Sequence, residues 1–282
     1  MITLKNEKLT VTINPYGAEL HSIKANDTAR EYLWQGEPSV WNGRAPLLFP
    51  IAGRLKKDSY IHHYKIYSLP KHGFARRSAF DVVATDTAKA VFSLTDSPKT
   101  LASYPFHFEL NAEYALSDQT LTVTNRVRNT GNDTMYFSLG AHPAFNIKVG
   151  DAVVFEEKED FTTALFDSFG LMDGEKTLAK DTDTIVIDAH IFDNDAIFFE
   201  NLKSQSAKIV AQNGEEVLKM TYGKVPYLGL WAKPGAPYVC IEPWHGIADT
   251  PNVSGELEEK PYIVSLEPNH EFVFTYTIEI LN

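Results

Sequence analysis

Short segments in which apolar and polar residues alternate recur along the whole chain of 282 residues. In a β-strand successive side chains point to opposite faces, so this alternation predicts strands with one buried face. The clearest examples are 8–14, 121–127, 184–188, 207–211 and 272–280. A chain built from many such segments is constrained to pair strands around a core, which favours an all-β fold.

Helical patterns are scarce. No window longer than ten residues has an apolar stripe of helical period with caps at its ends. Residues 97–104 predict one short helix, with Ser97 as its N-cap and Pro98 at its first position. The pattern of residues 159–166 is ambiguous.

Turn signals separate the alternating segments at even spacing. They are Asn14-Pro15, Asn42-Gly43, Thr130–Asp133, Asp173-Gly174, Asn213-Gly214 and Pro234-Gly235. Neither a flexible linker nor a repeat of 20–50 residues divides the chain. We therefore predict a large single-domain antiparallel β-sandwich over residues 1–282, with closure into a barrel left open.

Charge and cysteine content narrow the class of protein. The chain has 26 Lys and Arg against 37 Asp and Glu, a net charge of −11, which disfavours nucleic acid and anionic membrane as partners. Cys240 is the single cysteine, so an intrachain disulfide is excluded. The N-terminal residues lack a secretory signal pattern, and we expect a cytoplasmic protein. An anionic small substrate stays possible, because its site needs only one or two cations.

Four segments differ from ordinary strands and loops. They are PLLFPIAGR (46–54), PKHGFAR (70–76), GAHPAF (140–145) and VCIEPWHG (239–246). Glu242 follows the apolar run 238–241, where an unpaired carboxylate is costly. Such a group is either paired, exposed at the strand end, or held with a raised pKa for acid–base work. Trp231 and Trp244 are candidates for the core or for stacking on a sugar ring.

Metal and nucleotide chemistry have weak sequence support. Although the chain has nine histidines, it contains no HExxH motif, EF-hand loop, GxGxxG motif or GxxxxGK[ST] motif. His62 and His63 are adjacent, so on a regular strand they would point to opposite faces. Cys240 lies in an apolar run and is predicted to be an inert core residue. We predict neither a catalytic metal nor a cofactor.

The ordered set of segments resembles the galactose mutarotase-like, or aldose 1-epimerase, family. The resemblance runs from about residue 2 to residue 280, and GAHPAF and CIEPWHG are its most specific pieces. EPWHGIAD is similar to a bacterial branch of mutarotase-like proteins. The resemblance implies a β-sandwich of the supersandwich type and an isomerase that interconverts the α and β anomers of a free aldohexose.

The resemblance also implies roles for individual residues. Glu242 matches the general base and His142 the general acid, whereas His72 and Arg54 match residues that contact the sugar. A family aspartate that binds sugar hydroxyls is expected between His142 and Glu242. Asp195 is the first candidate for it and Asp193 the second. Trp244 and Arg76 complete the predicted substrate-binding set.

Three other functions stay open from the sequence. A hexose-phosphate mutarotase would use a phosphate clamp drawn from Arg44, Arg54, Arg76 and Arg77, unless Arg76 and Arg77 lie on opposite faces of a strand. A non-catalytic carbohydrate-binding sandwich would need aromatic platforms and hydrogen bonds but no matched acid and base. A mutarotase-derived sensor or partner of another enzyme is the third, and the sequence offers no test of it beyond the intact acid and base residues. The sequence names neither the sugar nor the choice between monomer and homodimer.

Overall fold

Antiparallel strands make up most of the computed structural model, which describes residues 1–282. The strands of the first half are β1 (Ile2–Lys5), β2 (Leu9–Asn14), β3 (Glu19–Ala25), β4 (Ser59–His62), β5 (Lys65–Ser68), β6 (Asp81–Thr85), β7 (Lys89–Thr95), β8 (Phe108–Ser117), β9 (Thr120–Asn129), β10 (Met135–Phe137) and β11 (Leu139–Gly140). Those of the second half are β12 (Ala144–Asn146), β13 (Ala152–Phe166), β14 (Met172–Val186), β15 (Ile197–Glu200), β16 (Ser206–Val210), β17 (Glu216–Thr221), β18 (Tyr227–Trp231), β19 (Tyr238–His245), β20 (Val264–Leu266) and β21 (Glu271–Ile280). The predicted all-β class is confirmed.

One sheet of fourteen strands dominates the molecule. Its main path runs in the order β11-β19-β18-β15-β13-β16-β17-β21-β9-β8-β7-β6, with β12 paired to β19 and β14 paired to β13. Smaller sheets are formed by β1-β2-β3, by β4-β5 and by β10-β20. All pairings between these strands are antiparallel, as the alternation of the sequence predicted.

Alternation in the sequence becomes alternation in burial. Along β8, buried and partly exposed residues alternate almost to the end of the strand. In contrast, seven of the eight residues of β19 are buried, because this strand is covered on both faces. One apolar cluster of 68 buried residues includes residues from Leu4 in β1 to Ile280 in β21. Because this cluster draws on the whole chain, we infer one domain.

Helical structure is limited to four short pieces. The α-helix α1 spans Pro98–Leu101, and Ser97 caps it as predicted, since the Thr100 backbone N–H donates to Ser97 Oγ (3.2 Å). The other three are 3-10 helices at Lys56–Asp58, Ala75–Arg77 and Leu257–Glu259. None of the helices is long and apolar enough to cross a membrane.

Three local expectations are resolved by the structure. The ambiguous residues 159–166 belong to the long strand β13, and the strand predicted at 184–188 ends at Val186. The prediction that His62 and His63 point to opposite faces was wrong, because their rings stack with centroids 4.0 Å apart. His63 has a φ of 48° and lies in the turn after β4 rather than on a regular strand.

A buried ion pair fixes the segment that follows β19. Lys260 Nζ lies 2.6 Å from Asp249 Oδ1, and both side chains are almost fully buried. The Lys56 backbone N–H donates to the other carboxylate oxygen (2.8 Å), and the Asp249 backbone N–H donates to the Arg54 carbonyl (2.8 Å). Asp249 therefore joins the segment after β19 to the segment that ends at Arg54.

Replacing Lys260 by Met should cost about 3–5 kcal/mol of unfolding free energy, because it leaves the Asp249 carboxylate buried without its partner. Urea unfolding measures the effect. Lys158→Met is the control, since Lys158 pairs with Asp181 at 3.3 Å on the surface and should contribute less than about 1 kcal/mol. Equal losses in the two variants would contradict this account of the buried pair.

Candidate active site

Three of the four unusual segments of the sequence pack around the fourth, which forms most of β19. Isolated bridges join Leu48 to Gly140 and Phe49 to Gly73, so the segment 46–54 contacts both neighbouring segments. Gly73 is required at this crossing, because a Cβ on it would lie 2.3 Å from the Phe49 carbonyl oxygen and its φ is +67°. The folding of these loops onto β19 thus brings together residues that are far apart in the sequence.

Strand pairing sets His142 opposite Glu242. Both β11 and β12 pair with β19, and their registers match Gly140 to Trp244 and Ala144 to Cys240. His142 lies midway between these two pairs, so the same register carries it across from Glu242. A Cβ on Gly140 would lie 2.7 Å from Trp244 Cδ1, and only glycine therefore leaves room for the indole ring.

The two side chains meet in the interior. His142 Nε2 lies 3.3 Å from Glu242 Oε2, and the residues are 8% and 1% exposed. Burial raises the pKa of the Glu242 carboxyl well above its usual value, and it lowers the pKa of His142 to about 3. Asp195 raises the pKa of Glu242 further, whereas the positive charge of Lys71 lowers it.

His72 is held as a neutral hydrogen-bond donor. The Gly53 backbone N–H donates to His72 Nδ1 (3.2 Å), and the His72 backbone N–H donates to the Gly53 carbonyl (2.8 Å). Because Nδ1 accepts, the ring proton of neutral His72 is on Nε2. Burial lowers the pKa of His72 well below its usual value. Its ring centroid lies 6.0 Å from that of His142, beside the acid–base pair.

A cavity of about 190 Å³ opens onto the pair. Its lining residues are Trp41, Lys71, His72, Arg76, His142, Asp195, Ala196, Phe198, Trp231, Glu242 and Trp244. Larger clefts of about 430 and 540 Å³ lie elsewhere, but neither contains a histidine. We therefore take the smaller cavity as the candidate active site.

Aromatic rings form much of the cavity wall. Trp41 stacks on His142 with ring centroids 5.3 Å apart, and Trp231 meets Trp41 edge-on at 5.2 Å. Trp244 packs against Phe198 with ring centroids 4.3 Å apart, and its indole interacts with the Glu242 carboxyl, which lowers the pKa of that group. The wall thus offers apolar faces beside the buried carboxyl of Glu242.

Lys71 and Trp41 were missed by the sequence analysis. Lys71 precedes His72 and was passed over for its neighbour, although a cation beside a candidate histidine was a usable signal. Trp41 precedes the Asn42-Gly43 turn, which was interpreted only as a chain reversal. Gly43 lies beside the indole, since a Cβ on it would be 2.5 Å from the Trp41 ring.

Only one of the four arginines of the predicted clamp lines the cavity. Arg76 lines it, whereas Arg77 lines a different cleft. Arg76 and Arg77 belong to a 3-10 helix, so the alternative that they lie on opposite faces of a strand was wrong. Arg54 Nε lies 3.5 Å from Asp58 Oδ1, outside the lining, and the guanidinium of Arg44 lies against Gly36.

Of the two candidate aspartates, Asp195 lines the cavity. Its φ of 76° puts it in the left-handed region, and its own carboxylate accepts from the Ala196 backbone N–H (2.9 Å). Asp193 is instead paired with His190 on the surface, with Oδ2 3.0 Å from Nδ1. The geometry thus favours the first candidate of the sequence analysis.

Comparisons with known proteins agree over the whole chain. The family model described as aldose 1-epimerase matches residues 1–279. Protein LacX, encoded on a plasmid of Lactococcus lactis subsp. lactis, is 31% identical, and the match covers 100% of this chain and 99% of that protein.

Solved structures give the same picture. A galactose mutarotase related enzyme from Lactobacillus acidophilus has a TM-score of 0.94 at 30% identity, covering 100% of this chain and 97% of the other. A galactose mutarotase-like protein from Lactobacillus casei has a TM-score of 0.95 at 26% identity, covering 100% of both.

Proposed function

The chain belongs to the aldose 1-epimerase family, and we propose that it interconverts the α and β anomers of a free aldohexose by acid–base ring opening and reclosure. Family membership supports an isomerase. The observation that carries the proposed mechanism is the buried His142–Glu242 pair, 3.3 Å apart at the wall of a cavity.

Mutarotation needs two proton transfers around one carbon. Glu242 takes the proton of the O1 hydroxyl while His142 gives a proton to the ring oxygen O5. The C1–O5 bond then breaks and an open-chain aldehyde forms. Rotation about C1–C2 presents the other face of the carbonyl, and the two transfers run in reverse to close the ring. No step needs electron transfer or a carrier group, so we propose a cofactor-independent reaction.

The pair is suited to hold and exchange one proton. Desolvation disfavours charge on either group, so Glu242 retains a proton more readily than an exposed carboxylate. A carboxylate with a raised pKa is also a stronger base toward a sugar hydroxyl. At rest the shared proton lies on Glu242, since burial raises the pKa of Glu242 and lowers that of His142. Each turnover proceeds from the form in which that proton has moved to His142, and the ring opens as His142 gives it to O5 and Glu242 takes the O1 proton. Ring closure restores the starting state.

The remaining lining residues would bind and orient the sugar. His72 Nε2–H is available to donate to O5 or to a hydroxyl, and the Asp195 carboxylate can accept from sugar hydroxyls. The faces of Trp41 and Trp231 suit the apolar C–H face of a pyranose ring. Arg54 lies outside the cavity lining, so it would contact only a sugar that extends beyond this cavity.

Lys71 should set the pH at which the base works. Lys71 lowers the pKa of Glu242, so Lys71→Gln should raise that pKa further. Because the pair works with one shared proton, kcat/KM falls as pH rises through the pKa of Glu242 and the pair loses that proton, and this basic limb should move to higher pH in the variant. The pH profile of kcat/KM measures the shift.

Lys65→Gln is the control for Lys71, since Lys65 is exposed on β5 and its Nζ lies over the Tyr67 ring. Its pH profile should match that of the wild type. A basic limb that stays in place in Lys71→Gln, or moves to lower pH, would exclude the proposed coupling between Lys71 and Glu242.

Polarimetry on a panel of free aldoses tests the proposed function. Freshly dissolved α-glucose and α-galactose should reach anomeric equilibrium faster with the protein than with buffer alone. Binding of sugars without any acceleration would instead support the non-catalytic carbohydrate-binding alternative.

A hexose-phosphate mutarotase is the second candidate, and the cations of the cavity favour it. Lys71 and Arg76 both line the cavity, and Arg76 Nη2 donates to the Lys71 carbonyl (2.8 Å). Arg76 Nε is buried without a protein partner and is free to bind a phosphate oxygen. Adding hexose 6-phosphates to the panel separates the candidates. If the sugar is phosphorylated, Arg76→Gln should lower kcat/KM for the phosphate ester far more than for the free sugar.

A further inference from the structure

We propose that His142, Cys240 and Glu242 form a binding site for a thiophilic divalent cation such as Zn²⁺ or Cd²⁺, which excludes the sugar when it is bound. One ligand atom from each residue lies within 4.8 Å of the other two, and all three residues are buried. Binding itself does not depend on the proposed function. Only the predicted inhibition rests on it.

Strand geometry brings the three ligands to one point. Cys240 and Glu242 are two residues apart on β19 and therefore point to the same face. Ala144 pairs with Cys240 on the neighbouring strand, and the same register sets His142, two residues before Ala144, across from Glu242 on the same face. The sequence analysis separated these residues, because it treated Cys240 as core and looked for metal ligands close together in the sequence.

The distances fit a tetrahedral ion with modest adjustment. Ligand bonds of about 2.0–2.3 Å to zinc set the ligand atoms about 3.3–3.6 Å apart. His142 Nε2 and Glu242 Oε2 already lie 3.3 Å apart. Moving the sulfur inward by about 1 Å would complete three protein ligands, the number typical of zinc sites with an open position. That open position faces the cavity, because His142 and Glu242 both line it.

The ligand atoms of these three residues determine which cations the site would bind. Thiolate is a soft ligand that favours Zn²⁺ and Cd²⁺, whereas Mg²⁺ and Ca²⁺ prefer oxygen ligands. A bound cation would occupy the lone pairs of both His142 and Glu242. It would thus remove the proposed acid and base together, and we infer that it inhibits rather than assists.

Cadmium titration tests the binding directly. Since Cys240 is the single cysteine, any thiolate-to-metal charge-transfer band in the ultraviolet must come from it. Wild-type protein should develop this band with one equivalent of Cd²⁺, and Mg²⁺ should produce none. Cys240→Ser should abolish the band, and His142→Ala should weaken Cd²⁺ binding by at least about tenfold. The band is readable even if the protein has no mutarotase activity.

Inhibition is measured separately. Zn²⁺ should slow mutarotation of the wild type in competition with sugar, while Cys240→Ser should keep its rate without metal and need at least about tenfold more Zn²⁺ for inhibition. Absence of the band in wild type, or a Cd²⁺ affinity unchanged in both His142→Ala and Glu242→Gln, would overturn the site. If the wild type shows the band and catalyses mutarotation but is not inhibited by Zn²⁺, the metal site stands and only the proposed exclusion of sugar is wrong. The Glu242→Gln titration keeps the test decisive if Cys240→Ser fails to fold.

Discussion

Replacing Glu242 by Gln should lower kcat for anomer interconversion by about 10²–10⁴-fold, the usual contribution of a positioned proton-transfer group. Glutamine keeps the size and shape of the side chain but cannot take the O1 proton. Glu242 is 1% exposed, and its carboxyl is disfavoured as an anion in the fold. The neutral amide should therefore leave the folded state intact, and polarimetry of the purified variant measures the loss.

Glu159 provides a control of the same residue type. It is also buried, but its carboxylate accepts from the Ser204 backbone N–H (2.7 Å) and hydroxyl (2.9 Å), outside the cavity. Glu159→Gln should reduce stability while keeping the mutarotation rate. Wild-type rates in Glu242→Gln would remove this residue from the base role.

His142→Ala should lower kcat by at least about 10²-fold. The variant loses the group proposed to protonate O5 and leaves Glu242 without its partner at 3.3 Å. Trp41 loses the ring on which it stacks, so KM should rise as well. Steady-state kinetics over a range of sugar concentrations separates the two effects.

His62 is a suitable control, because it is buried and aromatic-packed but lies outside the cavity, with its ring 4.8 Å from Phe106. His62→Ala should reduce stability and leave kcat unchanged. An unchanged kcat in His142→Ala would instead transfer the acid role to His72. A decrease in His62→Ala as large as that in His142→Ala would attribute both losses to damaged packing.

The local structure was largely predictable from the sequence. Alternation of period two fixed the strands at 121–127 and 272–280, because the side chains of a half-buried strand must alternate in polarity. The Ser97-Pro98 start of α1 was predictable for a similar local reason, since capping depends on neighbouring residues. Failures occurred where the backbone leaves its regular form, as at His63 in its turn and Arg76 in its 3-10 helix.

The sequence by itself determined the strand content, the acidic and disulfide-free character, and the motifs that resemble one family. Each of these depends on residue types or on neighbours in the chain. Only the tertiary structure decided that His142 faces Glu242, that Asp195 rather than Asp193 lines the cavity, and that Lys71 and Trp41 join them. The physical reason is the register of β11 and β12 on β19 and the packing of 46–54 against 70–76. These contacts join residues up to about one hundred positions apart, and no local pattern encodes such distances.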